Sequence, residues 1–319
     1  MRLSAIRCLL RSMWPVDRFG IIHRDVALDA GISEKTIARA VHAGQLCVVA
    51  RGRYVPTPVT HNDDADDVLY RARCVAAATG PGRPVLSHDS AAAVHGLRLL
   101  GPDRGRVHVT TGRESGGSRR SRRIIHAGLL PSDDVVEIGG VLVTSLARTA
   151  VDVALAAGTF AQALTAFDGI VADHEVREQA ARLLSAPRHG IALVRRAHAL
   201  ADGRSESPGE SWSRAQMIEA RLPVMDLQVE YRLGSGGRAF CDFSLDDVFV
   251  GEFDGLVKYR RGMRRDEDPE SIVIREKIRE DELRDLGLDV GRWIWADLRG
   301  RTMVPKVCVR LDRLGIRYG

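Results

Sequence analysis

The spacing of apolar positions changes several times along the chain, and each change marks an element. Residues 24–30, RDVALDA, read as a short helix stopped at Gly31, where positive φ is free of side-chain strain; Ser33 then stands as N-cap of a second helix, SEKTIARAVHAG. Ile32 before that cap and Ile37 four residues after it are spaced as a hydrophobic staple, which fixes the angle between the two helices. Ile37, Ala40 and Val41 face inward, leaving Lys35, Arg39 and His42 outward and Thr36 near the exposed start. QLCVVARGRYVP comes next as two β-rich runs about Arg51-Gly52, a hairpin with a basic tip.

The acidic stretch TPVTHNDDADD predicts a boundary near residue 60. Beyond it, helical spacing in DVLYRARCVAAATG and SHDSAAAVHGL gives way to strands RVHVTT and IIHAG. A Gly-Gly hairpin, VVEIGGVLVTSL, comes next, then helices from ARTAVDVALA onward. From SESPGESW a third unit is expected over 205–319. It comprises a helix GESWSRAQMIEARL, a meander of strands MDLQVEYRL, RAFCDFS and VFVGEFDG, a long charged helix PESIVIREKIREDELRDLG, a strand LDVGRWIWADL and a last helix. In the third of the meander strands, the two-residue period puts Val250, Glu252 and Asp254 on one face and Phe249 and Phe253 on the other. Asp242 of the preceding strand is thereby expected to meet Glu252.

Composition narrows the setting. At 319 residues the chain is long enough for two or three domains with cores of their own. The start, MRLSAIRCLLRSMW, breaks its apolar residues with Arg7 and Arg11 and reads as a short amphipathic helix rather than a signal peptide, and no run is apolar and long enough to span a bilayer. Cys8, Cys47, Cys74, Cys241 and Cys308 are scattered, odd in number and without a Cys-x-x-Cys, which suggests neither disulfides nor a thiolate zinc site. A cytoplasmic protein with no membrane partner is expected.

Charge matters by position. Residues 1–60 hold nine Lys/Arg and four Asp/Glu, a net +5 that equals the formal net charge of the whole chain. A basic module on a neutral body points to a polyanion, or else to an ordinary solvated surface. A helix, turn, helix and basic hairpin form a winged helix-turn-helix, whose second helix fits a major groove while the wing reaches a phosphate or minor groove. The alternative is an αα-hairpin used for protein contacts. A second basic tract, RESGGSRRSRR over 113–123, carries Arg119, Arg120, Arg122 and Arg123 and reads either as a phosphate-holding loop or as a solvated tip. His88, His95, His108 and His126 lack the i, i+4 spacing of a metal motif and are expected to be isolated structural histidines.

Two resemblances attach to these residues. GISEKTIARAVHAGQLCVVARGRYVP resembles the N-terminal winged helix of AbiEi-family antitoxins, and SHDSAAAVHGL…VHVTT…GGVLVTSLARTAVDVA is similar to the domain found after it in that family, the two covering about residues 20–200. The resemblance implies operator binding on double-stranded DNA and repression of a toxin–antitoxin operon. It implies DNA contacts by Lys35, Thr36, Arg39, Arg51 and Arg53, and a cognate nucleotidyltransferase toxin as partner. No cofactor is needed for that activity.

Residues 205–300 resemble the PD-(D/E)XK nuclease superfamily, near the very-short-patch-repair endonucleases, in element order and carboxylate placement. That resemblance implies catalytic roles for Glu210, Asp242, Glu252 and Asp254, with Mg²⁺ held by Asp242, Glu252 and Asp254, and extends to the helix containing Arg275, Arg279 and Leu283. Asp254 stands where the superfamily's lysine is usual, and Lys258 where a histidine is often found; Lys258 either polarises the attacking water or is a surface residue. The fold class expected is thus α/β multidomain: winged helix-turn-helix over 1–60, an α+β middle domain over 61–204, and a restriction-endonuclease-like α/β domain over 205–319. Three functions are compatible with these features: a DNA-binding regulator of antitoxin type, which ranks first, a Mg²⁺-dependent DNA endonuclease targeted by its winged helix, and a non-catalytic interaction protein.

Overall fold

In a computed structural model, the structure describes residues 14–57, 63–79, 82–255 and 269–318. They form a mixed α/β chain of thirteen strands and twelve α-helices. Its internal contacts divide it into two compact units, residues 1–97 with 102–153 and residues 98–101 with 154–319. The boundaries expected at 60/61 and 204/205 fall inside these units.

The first unit begins with β1 (Ile22–His23), α1 (Arg24–Asp29), α2 (Glu34–His42), β2 (Leu46–Ala50) and β3 (Arg53–Pro56). Ser33 caps α2 by accepting a hydrogen bond from the Thr36 backbone N–H at 3.2 Å, an arrangement worth about 1 kcal/mol. Ile32 and Ile37 pack in one cluster with Trp14, Ile22, Ala27, Ala40 and Leu46, as the staple spacing predicts. The hairpin β2–β3 is joined by β1 in an antiparallel sheet of order β1-β3-β2. Ile21 and Val55 belong to a larger core with Tyr70, Val75 and Leu86, so this small sheet shares its packing with residues on the far side of the boundary expected near residue 60.

That core lies under α3 (Asp63–Ala78), β4 (Val85–Leu86), α4 (His88–His95), β5 (Val107–Thr110), β6 (Ser118–Arg119), β7 (Arg123–His126), β8 (Val135–Ile138) and β9 (Val141–Thr144). The six strands form one mixed sheet, ordered β6-β7-β5-β4-β9-β8. Gly139 and Gly140 turn the β8–β9 hairpin with φ of 72° and 76°, the positive pair that a two-residue primed turn demands. β5 and β7 run parallel, with His108 opposite Ile124 and Thr110 opposite His126.

The chain passes into the second unit within α5 (Leu146–Ala156). It continues as α6 (Phe160–Asp168), α7 (His174–Leu183), α8 (Ile191–Ala199) and α9 (Pro208–Glu219). Every residue of helix α6 except Gln162 is buried. It packs against both α8 and α9, because a helix apolar all round needs cover on several sides. Arg214 of α9 donates to both oxygens of Asp168 at 2.9 and 3.1 Å, which ties residues before 204 to those after it.

The rest is a four-stranded sheet with its helices: β10 (Asp226–Arg232), β11 (Arg238–Leu245), β12 (Phe249–Asp254), α10 (Pro269–Asp285), β13 (Asp289–Ile294), α11 (Trp295–Arg299) and α12 (Met303–Arg313). Strand order is β10-β11-β12-β13, antiparallel except for the parallel β12–β13 pair that α10 connects. The expected strand over LDVGRWIWADL stops at Ile294, whose N–H is taken by the Asp297 carboxylate at 3.2 Å to open α11. One face packs Phe243, Phe249, Phe253 and Trp293 with α11 and α12; the other packs Cys241, Val250 and Val290 with Leu283 of α10.

Candidate nucleic-acid interface and carboxylate cluster

Helix α2 turns Ile37 and Ala40 into the core and leaves Lys35, Arg39 and His42 exposed, as its spacing predicts. Arg51 is exposed beside Gly52, which takes a φ of 70° in the turn between β2 and β3. Thr36 lies in the cap, its hydroxyl 2.9 Å from that of Ser33. Arg53 departs from the expectation of an outward cation. Its guanidinium donates to the Ala76 carbonyl near the end of α3, so the side chain is spent on the shared core. Arg24 is likewise paired with Glu34. Among the described residues Lys35, Arg39 and Arg51 enter no ion pair, which leaves their charge available to an external anion.

The basic tract over 113–123 is partly strand. Ser118 and Arg119 form β6 and pair with Ile125 and Ile124 of β7, making an edge hairpin whose tip carries Arg120 and Arg122. Arg119, Arg120 and Arg122 are exposed and Arg123 is half-buried. The hairpin holds these cations on one sheet edge, a geometry suited to a phosphate backbone.

The carboxylates of the second unit divide into two groups. Glu210 enters at the first turn of α9, where Ser207 caps the helix and donates to Glu210 Oε1 at 2.8 Å, while the Glu206 N–H donates to Oε2 at 2.8 Å. Gly209 lets this turn lie on β12: a Cβ there would sit 2.0 Å from the Phe253 ring. Gln228 Nε2 then donates to Glu210 Oε2 at 3.1 Å and to Asp242 Oδ1 at 3.4 Å. Gln228 has a φ of 54° opposite Asp242 in the antiparallel β10–β11 pair, and the side-chain period of β11 breaks at the same level. Cys241 packs with Val250 on one face, Phe243 with Phe249 on the other. The β11–β12 pairing ends at Phe243 and Gly251, and Asp242 Oδ2 accepts the Phe253 N–H at 2.8 Å just beyond it.

Glu252 and Asp254 are on the α10 face. Glu252 Oε2 accepts from Arg279 at 2.7 Å and lies 3.0 Å from Arg292 Nη2, while Arg292 Nη1 lies 3.4 Å from Asp254 Oδ2. Burial opposes the charge on Arg279, but the hydrogen bond and charge of Glu252 outweigh it, and its pKa is raised. Burial, with Glu252 nearby, pushes the Cys241 thiol up to about 12. The expected Mg²⁺ ligands thus divide, with Asp242 on Gln228 and the Phe253 N–H and with Glu252 and Asp254 beside the arginines of the α10 face. Among the described residues these carboxylates form no group of three with ligand atoms close together. Two guanidiniums lie on Glu252 Oε2, while Oε1 is buried with no hydrogen-bond partner among the described residues. Lys258 lies outside the described residues. Gln228 and Arg292 escape the sequence reading; Gln228 occupies an ordinary polar position in an alternating strand and gave no signal.

The histidines also differ from expectation. His95 is a structural residue, with Nε2 2.8 Å from the Thr144 carbonyl. His88, His108 and His126, in contrast, gather in the first unit, with one nitrogen from each within 4.8 Å of the others. Spacing along the chain gave no hint, because parallel pairing of β5 and β7 makes the group.

Residues 84–202 match the family model of the AbiEi antitoxin C-terminal domain. Among solved structures, the crystal structure of RV2827C protein from Mycobacterium tuberculosis is 16% identical, covering 71% of this chain and 83% of that chain at a TM-score of 0.36. That superposition is too loose to bear on function. No curated protein matches the chain. No described helix is long and apolar enough to cross a membrane.

Proposed function

We propose that the chain is a DNA-binding regulator of the AbiEi antitoxin type, reading double-stranded operator DNA with a winged helix over its first 60 residues. The observation that carries this reading is that Lys35 and Arg39 of α2 and Arg51 of the hairpin are exposed and enter no ion pair among the described residues, while Arg24 and Arg53 are spent on internal partners. The match of residues 84–202 to an antitoxin domain supports the toxin–antitoxin setting, with a nucleotidyltransferase toxin as the cognate protein. Helix α2 inserts in the major groove, and the Arg51 turn reaches the flanking backbone. The hairpin at 118–126 adds phosphate contacts that position the duplex without reading it.

The sheet of β10–β13 is read as a nuclease-like fold serving binding rather than cutting, since Arg279 and Arg292 hold Glu252. The test is fluorescence anisotropy of the full chain on the DNA upstream of its own gene. Lys35→Ala, Arg39→Ala and Arg51→Ala together should abolish preference for that DNA over a scrambled duplex. Retained preference would place recognition on another surface.

A further inference from the structure

We propose that His88, His108 and His126 form a binding site for Zn²⁺, with three imidazole nitrogens as ligands and a fourth position left to water or an external ligand. His108 Nδ1 and His126 Nε2 stand 3.1 Å apart. Two nitrogens on one tetrahedral zinc, each about 2.05 Å from it, stand about 3.3 Å apart. His88 stacks on His126 with ring centroids 3.6 Å apart, and its Nδ1 lies 3.1 Å from the Ser87 hydroxyl; in the tautomer whose Nδ1–H donates there, Nε2 is the ligand atom. Closing the widest separation, at most 4.8 Å, takes rotation of the half-buried rings of His88 and His126.

The outer groups suit this assignment. His108 Nε2 is buried without a hydrogen-bond partner and sits 3.7 Å from Asp103 Oδ2, the carboxylate that would orient a ligating imidazole from behind. His88 holds a φ of 50° at the start of α4, a left-handed conformation that a side-chain-bearing residue adopts against its preference and that is concentrated at functional sites. Asp89 and Asp103 face His108 together with Arg106, and Arg148, itself paired with Asp134 and Asp152, lies near His88. Burial lowers the pKa of all three imidazoles, which disfavours their charged form. Imidazole nitrogen selects a borderline ion such as Zn²⁺ over Mg²⁺ or Ca²⁺. Bound there, the ion would fasten the start of α4 to β5 and β7.

The full chain, stripped with a chelator, is titrated with Zn²⁺ by calorimetry and with Co²⁺ by visible absorption. One Zn²⁺ per chain is expected, with the intense visible bands of four-coordinate cobalt. His108→Gln and His126→Gln should each weaken binding by more than about 100-fold, and Asp103→Asn by about 10-fold. Circular dichroism checks the fold; if His108→Gln does not fold, the half-buried His126→Gln decides. No saturable binding in the wild type overturns the proposal, and so does unchanged affinity in His126→Gln, which would put the ion elsewhere. DNA binding is read separately, so failure of this site leaves the operator reading standing.

Discussion

Glu252 and Arg279 meet at 2.7 Å, so the carboxylate in the middle of β12 is held by a guanidinium of α10. Its side chain is 5% exposed, and Arg292 shares the same oxygen at 3.0 Å. Removing the carboxylate strands two partly buried cations. Glu252→Gln should destabilise the chain by about 2–3 kcal/mol, below the 3–5 kcal/mol of a fully buried pair because Glu276 and Glu280 remain close to the arginines. Arg279→Ala leaves Arg292 on Glu252 and should cost less. Urea denaturation gives both values, and a Glu252→Gln variant as stable as the wild type would remove the pair from any structural role.

The same geometry predicts the response to Mg²⁺. A site with Kd of about 1 mM would raise stability by about 1.4 kcal/mol at 10 mM ion. With the carboxylates divided, thermal denaturation in 10 mM Mg²⁺ should match that in its absence, and supercoiled DNA should remain uncut. A Mg²⁺-dependent rise that Asp242→Asn abolishes would restore the endonuclease reading.

What the sequence made legible was local. The Ser33 cap, the Ile32–Ile37 staple and the Gly139-Gly140 hairpin are each written within a few residues, and each appears where the spacing puts it. The alternation along β12 also survives, with Val250 against Leu283 and Phe253 in the opposite core. Long-range pairing was not legible. Asp242 was placed against Glu252 on the assumption of an even two-residue period, and the positive φ at Gln228 breaks that assumption at the level of Asp242. The histidine group depends on β5 and β7 lying parallel, and Arg53 on α3 covering the hairpin. No local pattern records either.

The two fates of the hairpin arginines separate binding from folding. Removing one cation from a DNA phosphate should reduce the magnitude of the salt dependence, log K against log salt, by about 0.9. Arg39→Ala with Arg51→Ala should therefore flatten that slope by about 1.8 and leave thermal stability unchanged. Arg53→Ala should do the reverse, lowering Tm because the Arg53–Ala76 hydrogen bond that ties the hairpin to α3 is lost, while the slope stays. Equal effects of the two variants on the slope would contradict the assignment of Arg53 to the core.

The edge hairpin makes a different demand. If Arg119, Arg120, Arg122 and Arg123 hold phosphates, alanine at all four should weaken operator and scrambled DNA by the same factor, because backbone contacts carry no sequence information. A loss confined to the operator would mean that the hairpin reads bases. No loss would leave it a solvated edge.

Asp168 and Arg214 supply a pH test of the second unit. The Asp168 side chain is 1% exposed, and burial raises its pKa even though Arg214 works against the rise. Arg214→Ala removes that opposing charge and leaves a buried carboxylate, at a cost of about 3–5 kcal/mol near neutral pH. A carboxyl whose folded pKa lies above its unfolded value binds more protons in the folded state, so its burden on stability lifts as pH falls through the folded pKa. The deficit of Arg214→Ala relative to wild type should thus be largest near pH 8 and shrink toward pH 5, as Asp168 takes up a proton and is buried neutral. Urea denaturation of both proteins at the two pH values measures this, with Asp168→Asn in the Arg214→Ala background as control. That double variant should recover part of the stability at pH 8 and show no such pH dependence; a deficit independent of pH would mean that Arg214 acts through packing alone.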